Sequence, residues 1–159
     1  DSNLLKKGEF VDAIKSENIR KYYPAYDFLR DKPGDMDLEG YLFPDTYEFY
    51  KDAAPEEIVK KMLDNFGGKL TSEMREDLIR QKRGIFETLS LASIIQKEVK
   101  DFSDMKTVAG IFTNRLKIGQ MLQADSTINF ITGKNRPQSL LSDLAVDSPY
   151  NTYKYACPC

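Results

Sequence analysis

The chain contains no histidine and no tryptophan, and its two cysteines, Cys157 and Cys159, are confined to the closing "CPC". Each gap closes a class of chemistry. Without imidazole there is no Ser-His or Cys-His nucleophile couple and none of the usual zinc ligand sets. A bridge between cysteines two residues apart would be strained, and the pair has no companion ligands, so neither a metal nor any other cofactor is expected. No apolar run approaches the about 18–20 residues that cross a bilayer, and no secretory apolar segment opens the chain. The protein is therefore either cytosolic or parted from its targeting segment, and the abrupt start at Asp1 leaves the second reading open. A surplus of one charge is missing as well: 23 Lys and Arg stand against 25 Asp and Glu, a net charge of −2. The two signs are interspersed, which leaves no broad positive field for a polyanion and excludes nucleic acid as a partner.

What remains is a chain of 159 residues, 41% of them hydrophobic, which suits one compact domain with a sizeable core rather than two. Proton chemistry falls to carboxylates, tyrosine or lysine. Hydrophobic spacing predicts a helix around "GEFVDAIK", followed by the aromatic cluster "YYPAY". "DKPGDMD" breaks the pattern at Pro33 and Gly34 and is the best internal boundary. "LEGYLFPDTYEFY" is aromatic and bounded by turn signals, so it reads as extended chain folded about "FPDT", with Pro44 keeping it from a central strand.

From Ala54 the pattern is helical. "APEEIVKKMLDNFGG" puts Pro55 in a first turn, Glu56 and Glu57 at the positive end of the dipole, and Gly67-Gly68 at the stop. Further helices are predicted over "TSEMREDLIRQK", over Phe86 to Lys100, and over "MKTVAGIFTNRLK" after a polar break at "DFSD", with Gly119 suited to a left-handed C-cap. A short helix through "STINFI" takes Asp125 as its cap. The expected class is α+β, predominantly helical, with a helical core and a small extended or hairpin element from "GYLFPDTY".

The helix containing "LASIIQKEVK" carries two polar interruptions. At about 100° per residue, Leu91, Ala92, Ile94, Ile95 and Val99 share an apolar arc, and Ser90, Ser93, Lys97 and Lys100 face water. Gln96 falls on one border of the arc and Glu98 inside the other, so both are expected to point toward the core or a cleft. Desolvation there favours the protonated form of a glutamate, which qualifies Glu98 as a proton donor. The competing reading is that Glu98 pairs with an arginine such as Arg115 and orders the packing. Gln96 does not titrate, and by residue chemistry alone it reads as structural.

Four segments in order, "LEGYLFPDTY", "LASIIQKE", "IFTNRLKIGQMLQADSTINF" and "YNTY", together resemble the MltG or YceG-like endolytic murein transglycosylases. The resemblance covers about Leu38 to Tyr153. It implies cleavage of the β-1,4 bond between N-acetylmuramic acid and N-acetylglucosamine inside glycan strands, with a 1,6-anhydro product and one glutamate handling the proton. That glutamate belongs where this chain has Gln96. An amide can hold the glycosidic oxygen but can neither give nor take a proton, so the resemblance implies a chain that binds glycan and barely cleaves it. An engineered replacement is the simplest account of Gln96; a natural pseudoenzyme is the other.

The same resemblance marks Asn114, Gln123, Asp125, Thr127 and Asn151 as substrate-binding; by residue chemistry Tyr41, Tyr47, Tyr150 and Tyr153 are rings suited to pack against sugar faces, and Glu39 either steadies the "GYLFPDTY" turn or lines the groove. Each has a structural alternative: Asp125 as a helix cap, Asn114 and Arg115 as links between a helix end and its neighbour, and Tyr41, Tyr47, Tyr150 and Tyr153 as core packing. Family members continue past "YNTY" with more of the domain. They also carry a membrane helix and a LysM-like subdomain before the position of Asp1. Residues 1–159 then form a single, partial catalytic domain, with 1–35 a remnant of the connection to the missing subdomain. The implied location is the extracytoplasmic face of the bacterial cytoplasmic membrane, with attachment only through a missing N-terminal anchor. The implied partners are peptidoglycan glycan strands and, beyond them, peptidoglycan synthases. A noncatalytic peptidoglycan-binding or scaffold module is the alternative function.

Overall fold

The computed structural model describes residues 7–156. The terminal "CPC" and residues 1–6 of the expected linker remnant lie outside the described residues. The chain divides into two compact units, Asp1–Phe86 and Glu87–Cys159. The division falls far from Pro33-Gly34, the expected break. There the buried Lys32 donates its Nζ to the carbonyls of Pro33, at 2.7 Å, and Met36, which locks the turn into the first unit.

The first unit holds α1 (Lys7–Ile14), α2 (Ser16–Ile19), α3 (Pro55–Lys69) and α4 (Ser72–Gln81), with single 3-10 turns at Arg20–Tyr22 and Asp27–Leu29. Pro55 opens α3 and Glu56 and Glu57 occupy its first turn, as the pattern predicts. The Gly67-Gly68 stop does not act: α3 runs through both to Lys69. Gly67 serves packing instead, because a Cβ there would lie 3.1 Å from Phe28 Cε1. Phe28, Tyr41 and Phe66 form the aromatic centre of this core, with Phe28–Phe66 centroids 4.9 Å apart and Tyr41–Phe66 centroids 5.5 Å apart. Thr71 Oγ1 accepts the Met74 N–H at 3.3 Å to start α4, and Lys82 ends it in the left-handed region at φ 54.

The hairpin expected from "GYLFPDTY" is not formed. No strand occurs among the described residues, so the fold is helical and not α+β. The chain turns at Gly40 (φ +87) and then runs irregularly through 43–50. No second extended segment pairs with it, and side chains of α3 take up its polar groups instead. Asn65 donates to Tyr47 Oη at 2.8 Å and to Asp45 Oδ2 at 3.1 Å, and Lys61 donates to the Glu48 carbonyl at 2.7 Å.

The second unit is built from α5 (Ile85–Glu98), whose first two residues close the first unit, together with α6 (Phe102–Lys117), α7 (Asp125–Thr132) and α8 (Leu141–Leu144). "DFSD" is not a break but the start of α6: Asp101 Oδ1 accepts the N–H of Ser103 at 2.8 Å as a cap. Gly119 follows the helix at φ +68, the left-handed geometry expected of it. Leu91, Ile94 and Ile95 of α5 pack with Phe112, Leu122 and Ala124, flanked by Val99, Met105, Val108 and Leu116. Ala92, expected on the same arc, is exposed.

Candidate functional site

The last turn of α5 sets the two polar residues in different roles. Gln96 is exposed and its side chain forms no hydrogen bond. Glu98 is also exposed, and Oε1 accepts the backbone N–H of Ser126 at 3.2 Å. Neither is buried in the core, which leaves the cleft of the two expected positions. For Glu98 this removes the burial on which a proton-donor role rested. The pairing with Arg115 is also absent: that guanidinium donates to the Leu122 carbonyl. Glu98 supplies what α7 lacks, because Ala124 stands at its N-cap with no capping side chain, and Glu98 reaches from α5 to hold an otherwise unbonded first-turn donor.

Asp125 is the first residue of α7 and does not cap it. Its Oδ1 instead accepts the Ser139 N–H and the Tyr153 hydroxyl, both at 3.1 Å. Burial alone would raise this carboxyl, but the adjacent Ser139, through its side chain nearby and its donating N–H, and the Tyr153 hydroxyl outweigh it and hold it below the usual range. Tyr153 moves the other way. Burial and the neighbouring carboxylates Asp125 and Glu98 raise its phenol, opposed in part by Arg115.

Behind this polar cluster, the segment leading into α7 is clamped. Gln123 takes the left-handed conformation at φ 53, uncommon for a residue with a Cβ, and its N–H donates to the Thr152 carbonyl at 3.0 Å. Thr152 Oγ1 accepts the Ala124 N–H at 3.0 Å and meets Thr127 Oγ1 at 2.9 Å. The Gln123 side chain is left exposed by this arrangement.

The expected binding residues therefore divide. Gln96, Asn114 and Gln123 present exposed side chains without internal hydrogen bonds, and Asp125 and Tyr150 are half-buried. Thr127 and Asn151 are buried structural groups. Asn151 donates its amide to the carbonyls of Leu144, at 3.0 Å, and Val146, at 2.7 Å, while its oxygen accepts the Tyr153 N–H at 3.0 Å. Glu39 and Tyr41 belong to the first unit. Glu39 is exposed, and Tyr41 is buried against Phe28 and Phe66, with burial raising its phenol. Sequence reasoning weighed Tyr153 as a ring for sugar faces or for core packing, not as a hydrogen-bond partner of Asp125, and did not single out Ser126 or Ser139. Proximity in the chain signals Tyr153, two residues past Asn151, but nothing local marks Ser139.

Among the described residues no group of histidine, cysteine and acidic side chains could hold a metal. Fold and site thus define a helical protein whose polar surface offers carboxylate, phenol and amide groups. The chain belongs to the YceG-like family, which it matches over residues 3–157. It is 38% identical over 153 residues to the endolytic murein transglycosylase of Bacillus subtilis (strain 168), covering 96% of this chain and 39% of that one. Against the endolytic murein transglycosylase of Streptococcus pneumoniae serotype 2 (strain D39) it is 34% identical over 146 residues, covering 87% and 26%. The crystal structure of the yceG-like protein lmo1499 from Listeria monocytogenes superposes with a TM-score of 0.75 at 34% identity, covering 94% of this chain and 51% of that chain. The chain thus spans well under half the length of the curated relatives it matches.

Proposed function

We propose that this chain is part of an endolytic murein transglycosylase that binds peptidoglycan glycan strands and is disabled in cleavage by Gln96. The observation that carries the reading is the state of Gln96: an exposed side chain with no internal hydrogen bond, on the helix that resembles the family's acid-bearing segment. A side chain at 96 has no structural task to perform, so its chemistry is free for a ligand.

With a carboxylic acid at this position the reaction runs in two proton transfers. The acid protonates the glycosidic oxygen as an oxocarbenium-like centre develops, and the carboxylate then takes the proton of the muramic acid 6-hydroxyl as that oxygen closes the anhydro ring. One residue performs both, and no second carboxylate nucleophile is needed. Gln96 can donate a hydrogen bond to the glycosidic oxygen but cannot complete either transfer. The exposed Asn114 and Gln123 amides and the Asp125–Tyr153 pair supply donors and acceptors suited to N-acetyl and hydroxyl groups. Thr127 and Asn151 act behind them by holding the loops. Action on the cell wall places the domain on the outer face of the cytoplasmic membrane, with peptidoglycan synthases as further partners.

The test is Gln96→Glu, assayed on purified murein for anhydro-ended products. Cleavage by the variant at about 10²–10⁴-fold or more above the unaltered chain supports the reading. Silence from both, with the chain still retained on insoluble murein, favours the noncatalytic binding module, which the non-ionising Gln96 also fits. Turnover by the unaltered chain that Glu98→Gln abolishes would move the acid to Glu98.

A further inference from the structure

Phe130 lies on α7 with 63% of its surface exposed, an unfavourable place for an aromatic ring unless something covers it. Its mount is rigid. Asn129 donates its side-chain amide to the Arg136 carbonyl at 2.7 Å and accepts the Arg136 N–H at 3.1 Å, and Gly133 ends the helix at φ +67, so the turn after Phe130 is closed on both sides. Tyr150 braces the ring itself, with centroids 5.5 Å apart and planes at 70°.

The pair adjoins the polar cluster of the same unit. Tyr150 precedes the buried Asn151 and stands three residues before Tyr153, whose hydroxyl is held by Asp125. Phe130 lies one helical turn beyond Ser126 on the same face of α7, and the Ser126 N–H is bound to Glu98 on the last turn of α5, two residues from Gln96. A row therefore runs from the end of α5 through carboxylate and phenol groups to an open aromatic pair. The turn that follows α7, tied to Asn129 through the Arg136 backbone, carries the exposed Asn135, Arg136 and Gln138.

An aromatic pair followed in the chain by a turn of exposed amides and a cation suits a pyranose, which has an apolar C–H face, a hydroxyl edge and, in muramic acid, a lactyl carboxylate. We infer that the Phe130–Tyr150 pair is a stacking platform for a pyranose ring of the glycan strand, extending the site beyond the Asp125–Tyr153 cluster. The platform rests on the reading of the chain as a glycan binder, and it makes Phe130, which closes the "QADSTINF" segment, a specificity-determining residue.

The test is calorimetric titration of the whole chain with peptide-free glycan strands, with the sugar C–H resonances followed in parallel. Phe130→Leu should weaken binding about three- to tenfold, the range expected when one stacking ring is removed. It should also abolish the ring-current shifts of one pyranose, which a merely structural role would leave in place. Phe130→Tyr should retain both, and Phe102→Leu, which alters a ring 71% exposed on α6, should change neither. Unfolding curves of each variant check the fold. If the strands bind and Phe130→Leu leaves affinity and shifts untouched, the platform is wrong and glycan binding stands. If the unaltered chain binds no strand, both fall.

Discussion

Asn151 and Gln96 occupy opposite extremes of the same unit. Asn151 has no exposed surface and joins two carbonyls and one N–H of the segment 144–153. Asn151→Ala should therefore cost about 2–4 kcal/mol in urea unfolding, because the carbonyls it orphans are desolvated. Gln96 has no hydrogen bond to lose, so Gln96→Glu should leave stability within about 0.5 kcal/mol while the assay on murein reports its chemistry. Tyr41 provides a third contrast: its hydroxyl is buried without a partner. Tyr41→Phe should be neutral or stabilising, and any loss of glycan binding on that change would return Tyr41 to the site. Residue type revealed none of these differences. Two amides and a phenol look equally suited to sugars in the sequence, and only their partners separate them.

At the scale of elements, each end of α5 is engaged through a side chain distant in sequence. At its start, Asp31 Oδ2 accepts the Phe86 N–H at 3.0 Å, and a Cβ at Gly84 would collide with that carboxylate. Gly84→Ala should therefore turn the exposed Asp31 carboxylate aside and cost about the 0.5–1.5 kcal/mol of the hydrogen bond to Phe86, measured by thermal unfolding. At its end, Glu98 caps α7, and Glu98→Ala should cost about 0.5–2 kcal/mol where Glu98→Gln, which keeps an acceptor oxygen, costs less. Helix bodies were legible in the sequence because the 3.6-residue period of α3 through α7 is local. Their ends were less so. Asp101 and Thr71 cap as nearby residues do, whereas Asp125 turned away to Ser139 and Tyr153 and left its helix to Glu98. The aromatic segment from 43 to 50 read as strand because its composition is that of a strand, but a strand needs a partner, and here helix side chains bind the backbone instead.

At the scale of the whole molecule, the missing histidine shapes the response to pH. Asp45, Glu56, Asp101 and Asp125 are all held below the ordinary carboxylate range; hydrogen bonds dominate at the first three, while at Asp125 they overcome burial. Lowered carboxyls contribute stability that is present above their unfolded values and lost as pH falls through the folded ones. Tyr22, Tyr41 and Tyr153 are raised chiefly by burial, and they contribute stability that is present below about pH 10 and lost as pH climbs further. Unfolding free energy should therefore be nearly flat from about pH 6 to 9, falling on both sides, and Asp125→Asn should flatten the acid limb. A pronounced titration between pH 6 and 7 would contradict this account. Composition and periodicity by themselves determined the exclusion of imidazole chemistry and the placement of the main helices, and the family was legible as a resemblance in four ordered motifs, because each depends on residue identity or on neighbours within a few positions. Only the tertiary structure decided that the chain forms two units, that Glu98 caps α7 from an exposed position, and that Phe130 stands open beside Tyr150. Those outcomes depend on which distant groups meet, and desolvation and hydrogen-bond satisfaction are settled by that meeting rather than by the order of residues along the chain.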